Sequence, residues 1–420
     1  MEVKATYSPT IKAIELSAER LQGIASITPL VKSPRYSKKY EANVFFKRED
    51  LQEVRSYKIR GAYNKMASLS QREVENGIVC ASAGNHAQGV ALSCKLLKIK
   101  GTIFMPSPTP QQKIEQVRMF GESYVEVVLI GDTFDDAYEA AKQSSEQMHQ
   151  QFIHPFNDPK VIEGQATVGL EIIDQSEHPI HYVFLPVGGG GLAAGVATVF
   201  KTISPETKIV GVEPQGAPSM STSILKNENT TLEHIDSFVD GAAVKRVGEL
   251  NFTLCKDYLD EVLVINEGEI CQCILDLYNK DAIVVEPAGA LSIAALAHRA
   301  QNIKGKNVVC IVSGSNNDIT RTPEIKERAL LHAKLKHYFI VKFPQRAGAL
   351  REFVVDILSP TDDITHFEYT KKVNRENDVA VVGIELKSPA DLEPLITKMK
   401  RHNFYGDYLN NKPDLFQFLV

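Results

Sequence analysis

Lys58 lies in the run Ser56-Tyr57-Lys58-Ile59-Arg60-Gly61-Ala62, where a loop leaving a strand passes into a helix that continues through Asn64, Lys65 and Met66. A helix N-terminus disfavours a cation, so the amine there is expected to give up its proton and become nucleophilic, as a Schiff-base lysine must. A lysine at a helix start is otherwise a solvated surface residue, and three further segments bear on the choice. In Ala81-Ser82-Ala83-Gly84-Asn85-His86-Ala87, between a short apolar strand and an apolar helix, Ser82, Gly84 and Asn85 offer hydroxyl, backbone and amide donors to a carboxylate. The plainer reading makes Ser82 or Asn85 the helix N-cap and packs His86 against a neighbour. In Val187-Gly188-Gly189-Gly190-Gly191-Leu192, four consecutive glycines join a strand to a helix. A plain turn does not require that loss of chain stiffness, whereas a backbone wrapped round a phosphate does. In Val312-Ser313-Gly314-Ser315-Asn316, Ser313 either donates to a ring nitrogen or serves as an N-cap before the helix that begins near Pro323.

The phosphate has two readings. Gly189-x-Gly191-x-x-Ala194 also fits a dinucleotide fingerprint, with Glu213 about where a ribose-binding acid stands. An NAD(P)-dependent oxidoreductase would leave the Lys58 and Asn85 loops without a task.

The elements that position these loops are legible up to about residue 325. Short β-branched runs such as Asn43 to Lys47, Gly77 to Cys80, Gly101 to Met105, Tyr182 to Leu185 and Val308 to Val312 alternate with helical stretches, which makes the fold class α/β. Several runs lack polar alternation, as expected of mostly parallel sheets flanked by helices, which bind ligands beyond the carboxyl ends of their strands. At Arg321 to Arg328 the texture turns to a charged helical connector. Beyond it, strand, helix, strand, strand, helix and strand follow over Tyr338–Phe343, Gly348–Leu358, Asp363–Lys371, Asp378–Lys387, Pro389–Arg401 and Phe404–Leu409, a ferredoxin-like α+β order. Its Phe343-Pro344-Gln345-Arg346-Ala347-Gly348 loop is either a small-ligand site or a tight turn. The expected boundaries are 1–325, connector 326–336, 337–411 and a tail 412–420.

Taken together, the Lys58, Asn85, glycine and Ser313 segments closely resemble the fold type II pyridoxal-phosphate family, and over the whole chain its threonine dehydratase branch. The tail resembles the ACT-like regulatory domain of that branch, in the short form with one copy. The resemblance implies pyridoxal 5'-phosphate held covalently by Lys58, its ring hydroxyl by Asn85, its phosphate by Gly188, Gly189, Gly190, Gly191 and Leu192, and its nitrogen by Ser313. It implies a substrate site of Ser82, Gly84, Asn85 and His86, with Lys58 also taking the α-proton of L-threonine so that the β-hydroxyl leaves and 2-oxobutanoate and ammonia result. Serine racemases carry a proton-returning serine where this chain has Ala83, which favours dehydration over racemisation. The resemblance further implies isoleucine as feedback effector, with valine in the opposite sense, a homotetramer, and a monovalent cation at Glu213 and Ala217, since Ser219 replaces the acid of divalent-binding relatives. Two positions depart from the family pattern, Ser315 where a glycine is usual and Ala347 where a proline is expected.

Bulk properties agree with small-molecule partners. A net charge of -5 over 420 residues, without a basic run, gives no pull toward nucleic acid or anionic membrane. No stretch has the length of a membrane span and the start lacks a signal peptide, so a cytoplasmic enzyme is expected. The six cysteines make no CxxC pair and are read as reduced thiols, the Cys271 and Cys273 pair included. A catalytically silent amino-acid sensor is the remaining class.

Overall fold

The computed structural model describes residues 7–370, 377–412 and 416. The expectations for the segment Met1 to Thr6, for Lys371 and for most of the tail 412–420 lie outside those residues. The chain divides into two compact units, Met1–Ile319 and Thr320–Val420. In chain order the strands are β1 Leu30–Lys32, β2 Asn43–Arg48, β3 Ile78–Ala81, β4 Gly101–Met105, β5 Val125–Leu129, β6 Gln151–Phe152, β7 Tyr182–Pro186, β8 Lys208–Pro214, β9 Glu261–Ile265, β10 Asn307–Val312, β11 Lys336–Pro344, β12 Asp363–Thr370, β13 Asn377–Glu385 and β14 Tyr405–Tyr408.

The first unit holds two sheets. The larger runs β1-β2-β10-β7-β8-β9 and is parallel except for β1, which pairs antiparallel with β2 at the edge. The smaller, β5-β4-β3-β6, is parallel throughout. Central strands are buried on both faces, as Val308, Val309, Cys310, Ile311 and Val312 of β10 illustrate, which is why they read as unbroken apolar runs. Helices Pro159–Gln175 and Gly191–Ile203 pack with the larger sheet, and Ile162, Ile172, Leu185, Val196 and Phe200 belong to one core. Ile59, Ala87, Val90, Ile78 and Ile103 form the core on the smaller sheet.

Charge joins these layers beneath the Lys58 loop. Arg60, 1% exposed, donates from Nε to Glu49 Oε2 at 2.8 Å and from Nη1 to Glu171 Oε1 at 2.6 Å, and Lys47 Nζ donates to Thr28 O at 2.6 Å. The network ties β2 and the helix Lys58–Ala67 to the helix Pro159–Gln175. Burying such ions is tolerable only because every one is paired, and removing a partner costs about 3–5 kcal/mol.

In the second unit the antiparallel sheet runs β12-β13-β11-β14, with helices Ala349–Glu352, continued by a wider turn over Phe353–Ile357, and Leu392–Arg401. This is the expected ferredoxin-like order. Phe343, Phe353 and Phe404 meet edge to face at centroid distances of 5.4 to 5.6 Å in its core. Among the described residues no helix is long and apolar enough to cross a membrane. All six cysteines are buried thiols outside any disulfide, Cys271 and Cys273 on one helix, Glu267–Asp281.

Candidate active site

The four loops singled out by sequence leave the carboxyl ends of β2, β10 and β7 in the larger sheet and of β3 in the smaller. Because β2 and β10 are parallel neighbours, their exit loops run side by side and lace together. Tyr57 N donates to Ser313 O at 3.2 Å, Ser315 N to Arg55 O at 2.9 Å, and Asn316 Nδ2 to Val54 O at 2.9 Å. Ser313, buried, is thereby held beside the residue that precedes Lys58. Ser315 turns its hydroxyl to Asp50 O at 3.2 Å, so the side chain that departs from the family pattern has its own place.

Lys58 is the first residue of the helix Lys58–Ala67, as expected. Its Nζ donates to Pro155 O at 2.9 Å. Burial pulls the amine down to about 8, against the opposing pull of the Glu286 carboxylate. The sequence attributes the lowered pKa to the helix N-terminus; the structure supplies desolvation as the leading cause. Helix Asn85–Leu97 lies hard against this turn: a Cβ on Gly89 would come within 3.1 Å of the Lys58 carbonyl oxygen.

Asn85 opens that helix with both ends of its amide engaged. Its Nδ2 donates to Glu286 Oε1 at 2.7 Å, and its Oδ1 accepts from Asn316 Nδ2 at 2.6 Å. The pair fixes which way the amide faces and leaves one N–H to donate elsewhere. The helix N-cap is Gly84 with no side-chain cap bond, and Ser82 Oγ accepts from Gly84 N at 3.2 Å, so neither Ser82 nor Asn85 caps the helix. His86 is buried with Nε2 donating to Ile153 O at 2.9 Å, and burial pushes its pKa down to about 3, which keeps it neutral. It ties the Asn85 loop to the segment after β6.

Gly190 adopts φ +89, a left-handed conformation open chiefly to glycine, immediately before the helix Gly191–Ile203, whose N-terminus has no side-chain cap. Phe156 presses on this loop so closely that a Cβ on Gly189 would lie 2.2 Å from its ring. Glu213, fully buried, accepts from Met220 N at 2.7 Å and Ser221 N at 2.8 Å in the first turn of helix Ser219–Lys226, and burial raises its pKa to about 7. Its carboxylate is thus engaged by a helix start, an arrangement that does not suit a ribose. Ala217, in the loop between β8 and that helix, is buried, its carbonyl accepting from Ser219 N at 3.0 Å.

Sequence reasoning missed Glu286. Standing before Pro287 at the start of helix Pro287–Ala294, it reads as an ordinary helix-opening acid, yet it makes no cap bond there and directs Oε1 at Asn85. Burial, reinforced by Asp240, pushes its pKa up to about 7. Only the folded chain brings residue 286 to residue 85.

Residues 21–314 match the family described as "Pyridoxal-phosphate dependent enzyme". The chain belongs to that family. Residues 327–419 match the "C-terminal regulatory domain of Threonine dehydratase". Over nearly its whole length the chain is similar to the biosynthetic threonine dehydratases: it is 53% identical over 410 residues to the L-threonine dehydratase biosynthetic IlvA of Bacillus subtilis (strain 168), covering 98% of this chain and 97% of that one. The processed form of threonine deaminase isoform 2 from Solanum lycopersicum superposes with a TM-score of 0.72 at 41% identity, over 78% of this chain and 92% of that one. Maize serine racemase superposes with a TM-score of 0.71 at 30% identity, over 78% and 99%. The loops fit the cofactor. An uncapped helix start follows a loop in which Phe156 leaves no room for a side chain on Gly189, the Lys58 amine has its pKa lowered to about 8 by desolvation, and the Asn85 amide keeps one N–H to give.

Proposed function

We propose that the chain is an L-threonine ammonia-lyase that forms 2-oxobutanoate and ammonia, the committed step toward isoleucine, in a catalytic domain ending near residue 325. The carrying observation is Lys58: a half-buried residue whose amine donates to Pro155 O at 2.9 Å and has its pKa lowered to about 8 by desolvation, set among the glycine, Asn85 and Ser313 loops. When bound, pyridoxal phosphate supplies the electron sink for charge developing at the substrate α-carbon. Lys58 would hold the cofactor, and its free amine, with a pKa lowered to about 8, would be the base that takes the substrate α-proton near neutral pH. Gly188 to Leu192 would present backbone N–H groups to the phosphate, Asn85 would donate its remaining N–H to the ring hydroxyl, and Ser313 would bond the ring nitrogen. A neutral serine there would leave the ring nitrogen unprotonated and the ring a weaker electron sink, which would favour elimination of the β-hydroxyl. Ser82, Gly84 and the backbone N–H of Asn85 would hold the substrate carboxylate, with His86 completing that loop. Ala83 has no proton to return to the α-carbon, which separates this chain from a racemase. A monovalent cation at Glu213 and the Ala217 carbonyl belongs to the same reading.

The ACT-like domain, 337–411 after the connector 326–336, is the proposed sensor of isoleucine, with valine opposing it, in a homotetramer. Support comes from a surface pocket of roughly 410 Å³ lined by Gln345, Arg346, Gly348, Phe367, Tyr369 and Asp378. Gln345 Nε2 and Tyr369 OH both donate to the buried Asp378 carboxylate, at 3.0 and 2.8 Å, which shapes one wall with charge and leaves apolar rings on another. The test is turnover of L-threonine by the purified protein with pyridoxal phosphate, with and without isoleucine. Stoichiometric 2-oxobutanoate and ammonia, suppressed by isoleucine, is expected; D-serine from L-serine as the main product would refute the lyase assignment.

A further inference from the structure

Asn251, fully buried, is the third residue of the helix Glu249–Tyr258, and sequence analysis gives it no role. Its single amide nitrogen donates to two backbone carbonyls from different parts of the fold, Gly189 O at 2.7 Å and Phe156 O at 3.1 Å. Gly248 N adds a second bond to Gly189 O at 3.1 Å. The next carbonyl, Gly190 O, is held by Ala194 N at 2.8 Å and approached by the Cys255 thiol at 3.8 Å. Two successive carbonyls are thus anchored on the protein side of the glycine loop. In a trans peptide the N–H points opposite to the C=O, so the N–H groups of Gly190 and Gly191 face the other way, into the cradle. Asn251 Oδ1, meanwhile, is buried without a partner. A buried amide oxygen left unpaired is destabilising, and an apolar residue would avoid it, so what this side chain contributes is its N–H2 group.

The geometry points to Asn251 as a positioning residue that holds the Gly189 carbonyl back so that the loop's N–H groups meet the cofactor phosphate, and that locks this cradle to the Pro155–Phe156 segment contacting Lys58. The second bond matters because Pro155 O accepts from Lys58 Nζ at 2.9 Å: one amide sets the span between the phosphate and the lysine that the cofactor must bridge. The inference rests on the pyridoxal-phosphate reading above.

Its test is equilibrium binding to the full-length apoprotein, followed by visible absorbance, of two probes that differ only in the phosphate: pyridoxal phosphate and pyridoxal. Asn251→Leu removes both bonds, and the near-isosteric Asn251→Asp sets a carboxylate oxygen against the two carbonyls. We expect pyridoxal phosphate to bind at least tenfold more weakly to both variants, pyridoxal to stay within twofold of wild type, and the phosphorus resonance of the bound cofactor to shift. Equal weakening of both probes would mean a merely structural role, and no change in either would also overturn the proposal. Failure of the wild-type protein to bind pyridoxal phosphate would instead defeat the cofactor reading itself. Should Asn251→Leu not fold, Asn251→Asp carries the same comparison.

Discussion

At the residue scale two ionisable groups that feel each other's charge, the half-buried Lys58 and the buried Glu286, are each pushed toward neutrality by loss of water. Lys58 is the simpler. Its amine attacks only when neutral, and burial lowers its pKa from 10.5 to about 8, so the competent fraction grows as pH rises and levels off above that value. Reconstitution of apoprotein with pyridoxal phosphate should therefore speed up about tenfold per pH unit below 8 and flatten beyond it, followed by stopped-flow absorbance. A rate still climbing tenfold per unit at pH 9 to 10 would describe an ordinary surface lysine. Glu286 has its pKa raised to about 7, so the folded state retains the proton longer than the unfolded chain does. Its sign is the reverse of a salt-bridged acid: stability is fullest below about 4.5 and declines as pH rises through 7, by on the order of 3 kcal/mol. Glu286→Gln should accordingly raise the melting temperature at pH 8 while weakening the hold on Asn85 and lowering kcat. A variant less stable at pH 8, with activity intact, would remove Glu286 from the site. The trade is what a carboxylate kept for function rather than stability would show.

At the scale of elements, the site is a consequence of parallel pairing. β2 and β10 are adjacent and co-directional, so their exit loops meet and carry Lys58 and Ser313 to one place. Beneath them the Arg60, Glu49 and Glu171 network fixes the first turns of the Lys58 helix. Arg60→Ala leaves buried carboxylates without their counter-ion and should cost about 3–5 kcal/mol, read as a fall in denaturation midpoint, whereas a change within 0.5 kcal/mol would show the network to be dispensable. Much of this level is legible in the sequence. Unbroken apolar runs mark the strands, the glycine tetrad marks a loop that a plain turn would not need, and the strand and helix order of the second unit matches the observed sheet β12-β13-β11-β14. What stays hidden is whatever depends on distance in space rather than along the chain. Glu286 and Asn251 look like an acid and an amide in the first turns of helices, and only folding sets one against Asn85 and the other behind Gly189. His86 adds a tie of the same kind: its motif sets it in the Asn85 loop, and only the fold shows that its Nε2 bonds Ile153 O at 2.9 Å.

At the scale of the whole molecule, a catalytic unit and a ferredoxin-like unit are joined in one chain, and the match of the second to a threonine dehydratase regulatory domain makes effector binding part of its function. On the proposed reading of isoleucine as effector of an oligomer, regulation requires it to bind one quaternary state better than another, since equal affinity would shift nothing; a tenfold change in threonine half-saturation would correspond to about 1.4 kcal/mol of coupling. A chain ending near residue 330 should keep threonine turnover and lose its response to isoleucine, measured by 2-oxobutanoate release; unchanged sensitivity would place the effector elsewhere. All of this presupposes that the lysine chosen by sequence and structure carries the cofactor. The most direct test is borohydride reduction of the protein reconstituted with pyridoxal phosphate, followed by peptide mass mapping. The account predicts one reduced phosphopyridoxyl adduct, on Lys58, absent from Lys58→Ala; an adduct on any other lysine, or none in a protein that turns over threonine, would contradict it.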